Sequence, residues 1–153
     1  MDMMDVLKSS RNDEAYALLL ALEKESAETN RLYPLLEEFT ALTQSKSSLV
    51  RVRGFRLACA QARWDTEHRF EKCFETLLTM LDDDKATSVR QCLEALESVA
   101  LCRQELHGQI QQKLSGMELS KYKDRMRPLI RKNMKKLQAL LSPQPESIGR
   151  FGI

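Results

Sequence analysis

Arg53, Arg56 and Arg63 are spaced i, i+3 and i+10, which brings three guanidinium groups close to one face of a helix. Each guanidinium is a planar fork of donors that grips a carboxylate or a phosphate at two points, so a row of them is chemistry for holding an anion. Trp64, the only tryptophan, and Asp65 follow directly. Further along, Lys121, Lys123, Arg125, Arg127, Arg131, Lys132, Lys135 and Lys136 stand against Asp124 alone. Clustered cations of this kind raise the local concentration of acidic protein or of phosphate. The basic side of that stretch has no interleaved aromatics on which bases would stack.

No other residues are spaced for a reaction. Cys59, Cys73, Cys92 and Cys102 are separated by 14, 19 and 10 residues, so there is no Cys-x-x-Cys pair. His68 and His107 complete no zinc spacing. The cysteines fall among apolar helical positions and read as reduced core thiols of a cytoplasmic protein. No serine or cysteine is spaced to pair with a histidine as nucleophile and base. The chain therefore reads as a non-enzyme with no catalytic residue, no metal ligand and no cofactor. Met1-Asp2-Met3-Met4-Asp5 is acidic where a secretory signal would be basic. No run approaches the roughly 18 consecutive apolar residues of a membrane span, so no membrane partner is expected.

The elements that would position these residues are helical. At 153 residues, 42% hydrophobic and 30% charged, the chain has the size and balance of one globular domain. Five glycines, four prolines and 6% aromatics are too few for a turn-rich β core. Leu, Ala, Glu, Lys, Gln and Arg, the straight-chain helix formers, dominate instead.

Apolar periodicity predicts about seven helices. The first runs from Asn12 or Asp13, as cap, to Thr29, and the second from Arg31 to Thr43 with Pro34 in its first turn. The polar stretch 44–48 supplies caps for a third, Leu49 to Trp64, and a fourth runs from Glu67 to Leu81. A fifth, capped by Thr87 or Ser88, spans Val89 to Arg103, and a sixth Glu105 to Leu114. The last begins between Ser120 and Arg125 and ends at Leu141, leaving 142–153 as a flexible tail. Charge shifts along the chain: residues 1–48 carry −4, residues 49–104 balance, and residues 105–153 carry +6, for a total of +2.

The helices repeat. A shift of 39 pairs Leu35 with Phe74, Phe39 with Leu78, Leu42 with Leu81, Val50-Arg51 with Val89-Arg90, and Leu57 with Leu96. A further shift of 37 pairs Leu77 with Leu114, Met80 with Met117, Val89-Arg90 with Met126-Arg127, and Leu93 with Ile130. Each unit is a helix ending in an apolar triplet, a polar turn, and a second helix opening with an apolar residue and Arg. A single pair of this length cannot bury its apolar faces, whereas stacked neighbours share a continuous core. The segment Phe74 to Arg90, with its Leu-rich helix, turn aspartates and Val89-Arg90, resembles a HEAT repeat. The unit before it has Gln44 and Ser45 at the turn Asp, and the last has Met126 for Val.

The resemblance implies an all-α fold, a short right-handed α-solenoid of antiparallel helix pairs in one domain, 1–141. A half-repeat at 12–29 would precede repeats at about 31–64, 67–103 and 105–141. Arg51, Arg90 and Arg127 recur at one repeat position, where a HEAT arginine would bond turn carboxylates or carbonyls; Asp83 or Asp84 is the partner expected for Arg90. By the same overlay Arg53, Arg56 and Arg63 correspond to Cys92, Ala95 and Cys102, so the fold is not expected to need arginine there. With Trp64 they are the candidate binding residues, set against a solvated face paired with Glu67, Glu71 or Glu97. Arg125, Arg131, Lys132, Lys135 and Lys136 form a second basic face, expected to serve first as the polar end that keeps an array soluble.

HEAT arrays serve as scaffolds for proteins or nucleic acid. The expected function is thus a non-enzymatic module that recognises a protein partner on its concave helical face. The alternative is a nucleic-acid-binding module using the Arg row and the basic last helix. More remote is a DNA-repair enzyme like the HEAT-like alkylpurine DNA glycosylases, which use tryptophans with an Asp; this chain has no second Trp. A monomer is expected, with a homo-oligomer left open.

Overall fold

Pro34, the serine-rich 44–48 stretch, the aspartates 82–84 and Gly116 cut a helix-forming chain close to the points that its periodicity predicts. A computed structural model describes residues 2–142, and no strand occurs among them. Its α-helices are α1 (Met3–Leu7), α2 (Asn12–Glu28), α3 (Leu36–Leu42), α4 (Ser48–Ala60), α5 (Arg69–Leu78), α6 (Ala86–Cys102), α7 (His107–Ser115) and α8 (Arg127–Gln138). Short 3-10 turns at Tyr33–Leu35, Ala62–Trp64, Thr79–Asp82 and Gln104–Leu106 take the chain round its corners. Of the tail expected at 142–153, all but Ser142 lies outside the described residues.

The helix ends follow local chemistry, with some departures from expectation. Ser47 caps α4, its hydroxyl accepting from the Val50 amide at 3.4 Å, and Pro128 sits in the first turn of α8. Helix α1 is not among the expected helices: it is too short to show periodicity, and it holds through the Asp2 carboxylate, which accepts from the Asp5 amide at 3.0 Å, and through fully buried Leu7. Asn12 opens α2 without capping it; its side-chain oxygen accepts from Arg53 instead. Helix α6 starts at Ala86, ahead of the expected Thr87 or Ser88 cap, because Asp83 Oδ2 takes the Lys85 amide at 3.1 Å.

Packing runs along the chain. Helix α4 lies against α2, α3 and α6; α6 lies against α4 and α8; and α3 lies against α5. Phe39, Phe55, Phe70 and Phe74 are all buried in the shared core, Phe70 and Phe74 with ring centroids 5.4 Å apart. The phenylalanines among the described residues are thus spent inside. Gly54 lets α3 and α4 approach closely: a Cβ there would sit 2.4 Å from Leu42 Cβ and 2.5 Å from the Phe39 carbonyl. Side chains also tie each segment to the next. Gln61 Nε2 donates to Ser26 Oγ, 35 residues back, at 2.9 Å, and Arg103 donates to the carbonyls of Ala62 and Asp65, 41 and 38 residues back, both at 2.7 Å.

Candidate functional site

Two of the three arginines, Arg53 and Arg56 of α4, are turned toward their own protein, while Arg63 falls in the 3-10 turn after α4 and stays exposed. Arg53 is buried, and Nη1 donates to the carbonyls of Leu7 at 2.9 Å and Ser9 at 3.0 Å while Nη2 donates to Asn12 Oδ1 at 3.0 Å. Burial works against its charge and lowers its pKa, and three oxygens from the α1–α2 corner answer it. Arg56 makes a two-point pair with Glu23 at 2.9 and 2.7 Å and donates to Gln91 Oε1 at 3.1 Å. Arg63 donates to the Ala27 carbonyl at 2.9 Å, and Trp64 Nε1 to the Ser26 carbonyl at 2.7 Å. None of the pairs expected with Glu67, Glu71 or Glu97 forms with Arg53, Arg56 or Arg63 among the described residues. The overlay misjudged these positions because the neighbour changes from unit to unit: α4 faces a helix end with bare carbonyls, whereas Cys92, Ala95 and Cys102 face α4.

Of the repeat arginines, Arg51 and Arg127 bond turn groups and Arg90 does not. Arg51 takes Asp83 at 2.8 and 3.2 Å together with the carbonyls of Ser45 and Lys46, each at 3.1 Å. Asp83 is therefore occupied, and Arg90 reaches instead to Asn133 on α8, at 2.8 Å. Asn133, which interrupts the apolar arc of the last helix, is buried for that bond. Arg127 donates to the carbonyls of Tyr122 at 2.9 Å and Ser120 at 3.1 Å.

Trp64 and Asp65 serve the corner between α4 and α5. Asp65 is buried; its Oδ1 accepts from the Tyr33 hydroxyl at 2.6 Å and from the Phe70 amide at 3.1 Å. Burial first, and Asp65 second, push the Tyr33 phenol up to about 12. An aspartate with both contacts made is a strut of the corner. His107 is also enclosed: Nδ1 accepts from the Ser142 amide at 2.9 Å, which leaves Nε2 to donate to the Ala100 carbonyl at 2.6 Å. His68 stands exposed beside Glu71. All four thiols are free, Cys59, Cys73 and Cys92 buried and Cys102 exposed, and burial pushes the Cys59 thiol well up. No cluster among the described residues would hold a metal ion, and no helix there is long and apolar enough to cross a membrane.

Two surfaces keep side chains free for a partner. Between α2, α4 and α6 runs a groove of about 590 Å³, lined by Tyr16, Glu23, Arg56, Gln91, Glu94 and Glu97. It continues past Asp13 and Leu49 at one end and past Arg63 and Cys102 at the other. Tyr16 is 53% exposed and Leu49 48%. Glu97 Oε2 is shut from solvent and accepts no hydrogen bond among the described residues. With Arg56 matched by Glu23, the carboxylates of Glu94 and Glu97 leave the middle of the groove negative. The sequence marked Arg56 but not Tyr16, Leu49, Gln91 or Glu94, whose neighbourhood depends on how three helices stack. An exposed Tyr16–Leu20 pair at i, i+4 on α2 was the one local sign.

The other surface is α8 with the turn before it. Arg125, Arg131, Lys132, Lys135 and Lys136 are exposed, and none has an ion-pair partner among the described residues. A cleft of about 510 Å³ between α8 and the 117–120 segment has Met117, Leu119 and Met134 as its apolar part, with Arg127, Arg131 and Lys135 around them. Compared with protein-family models, with curated proteins and with solved structures, the chain matches none.

Proposed function

We propose that the protein is a non-enzymatic binding module, a short HEAT-like α-solenoid that holds a protein partner in the groove across α2, α4 and α6. Two features support the solenoid reading. The helices α2, α4, α6 and α8 pack in order, and bonds between distant segments span separations near the repeat shifts, as in Tyr33–Asp65 at 32 and Tyr122–Asp83 at 39. In a stacked array each unit touches its neighbours alone, which yields that banding. Free thiols at Cys59, Cys73, Cys92 and Cys102 suit a cytoplasmic module.

The observation that carries the binding reading is exposed Tyr16 and Leu49 beside Asp13, Glu94 and Glu97 in one groove. An aromatic and an aliphatic anchor rimmed by charge is how protein partners are held. Surplus carboxylates repel a phosphate backbone and favour a polypeptide segment that carries lysine or arginine next to an apolar residue.

The test is affinity purification, with and without nuclease, of wild type and of a Tyr16→Ala/Leu49→Ser/Glu94→Ala variant. All three positions are exposed, so the variant keeps the fold, as circular dichroism would verify. Partners are expected on the wild type in the presence of nuclease and lost on the variant. An unchanged partner set on the variant overturns the groove, and partners that vanish with nuclease replace it with a nucleic-acid module.

A further inference from the structure

Arginine is engaged nearly everywhere in this chain. Arg11, Arg31, Arg51, Arg53, Arg56, Arg63, Arg69, Arg90, Arg103 and Arg127 each donate to a carboxylate, an amide oxygen or a carbonyl. Among the described residues Arg125 and Arg131 make no such bond, and both belong to the segment that also carries free Lys132, Lys135 and Lys136. Solubility alone explains cations on an end helix, but not their arrangement round an apolar cleft. Arg127, Arg131, Met134, Lys135 and Gln138 are spaced i, i+4, i+7, i+8 and i+11, one stripe of α8, and that stripe is the wall of the cleft. Met117, Leu119 and Met134 stay only partly buried against the core beneath it.

We infer that the cleft between α8 and residues 117–120 is a second docking surface, taking an acidic polypeptide segment that also carries apolar side chains. Apolar floor and cationic rim make two demands on an occupant, and charge complementarity selects among the candidates. A nucleic acid meets the rim but leaves Met117, Leu119 and Met134 uncovered, and the cleft has no aromatic on which a base would stack. The chain's own residues 143–153 hold Glu146 and Arg150, no net charge to answer the rim. A peptide with carboxylates flanking Leu, Ile or Phe meets both demands. This surface lies apart from the Tyr16 groove, which shares none of its residues, so it stands or falls separately.

The experiment pans a random peptide library on the full-length protein and measures the best enriched peptide by fluorescence anisotropy. Enriched sequences are expected to combine Asp or Glu with apolar residues. Arg131→Ala/Lys135→Ala, which strips the cleft wall, should weaken that peptide about tenfold or more, as should Met134→Ser. Lys132→Ala/Lys136→Ala removes the same charge outside the cleft and should cost less than about threefold. Tyr16→Ala should leave this peptide unaffected. Enrichment of sequences without acids, or no enrichment, overturns the proposal. So does equal weakening by the two charge-matched double variants, which would mean diffuse attraction only. A single-stranded oligonucleotide that displaces the peptide at equal affinity overturns it in favour of nucleic acid, and sedimentation showing self-association that depends on Arg131 overturns it in favour of a second copy. Circular dichroism of each variant guards against loss of fold. If Met134→Ser unfolds, the double variant at exposed Arg131 and Lys135 decides the outcome.

Discussion

Arg51 of α4 and Asp83 of the turn before α6 form a two-point pair at 2.8 and 3.2 Å, in which the Asp83 side chain is only 7% exposed. The same aspartate accepts the Lys85 amide, and its carbonyl accepts from the Tyr122 hydroxyl. One residue thus joins α4, the turn before α6 and the segment before α8. Asp83→Ala should destabilise by about 1.5–3 kcal/mol, the range for losing charged hydrogen bonds. Urea midpoints for Asp83→Ala, Arg51→Ala and the double variant check this. The double variant should cost less than the two singles added, because the bond can be lost only once.

Arg53→Ala should destabilise by about 2–3 kcal/mol, since it strands the Leu7 and Ser9 carbonyls and the Asn12 amide oxygen. Arg131→Ala, on the exposed side of α8, should change stability by no more than about 0.5 kcal/mol. Equal urea midpoints for the two would refute the anchoring role of Arg53. Hydrogen exchange should further show α1 amides losing protection in Arg53→Ala ahead of the core.

Gly54→Ala places its new methyl within 2.4 Å of Leu42 Cβ and 2.5 Å of a backbone oxygen that has no rotamer to escape by. The helices α3 and α4 must part, at a cost of about 1–3 kcal/mol. Gly116→Ala meets nothing nearer than 3.8 Å and should be close to neutral. Thermal unfolding of the two variants side by side is the measurement, and a neutral Gly54→Ala would sink the close-approach argument.

Alkaline pH should loosen the fold through two phenols. Burial, then Asp65, pushes Tyr33 up to about 12; burial, then the charges of Asp83, Asp82 and Asp84, does the same to Tyr122. A free tyrosine ionises near ~10, so between ~10 and about 12 the folded chain holds protons that the unfolded chain has released. The stability this represents is fully present below ~10 and is lost as pH rises through about 12. Urea midpoints should fall over that window, and less steeply in Tyr33→Phe and in Tyr122→Phe. Phenolate absorbance of the native protein should likewise rise later than after unfolding.

Periodicity and composition carried most of the secondary structure, because breaks at Pro34, 44–48, 82–84 and Gly116 are local events. They missed α1, whose five residues are too few for a pattern and depend on Leu7 being buried. They also placed the α2 cap on Asn12 or Asp13 and the α6 cap on Thr87 or Ser88. Asn12's choice between its own helix and a distant guanidinium is made in three dimensions, and α6 starts earlier, at Ala86.

The sequence by itself determined that the chain is helical, that apolar residues and apolar-Arg pairs align at shifts of 39 and 37, and that its cations gather toward the C-terminus. Those are properties of residue type and spacing. Tertiary structure alone decided which arginines are free. Identical guanidinium groups are consumed at Arg53 and Arg56 because α4 stacks on open carbonyls and on Glu23, and left exposed at Arg125 and Arg131, where no described residue offers an acceptor. A one-dimensional overlay compares what positions carry; a hydrogen bond depends on what lies opposite, and α4 and α6 face different neighbours.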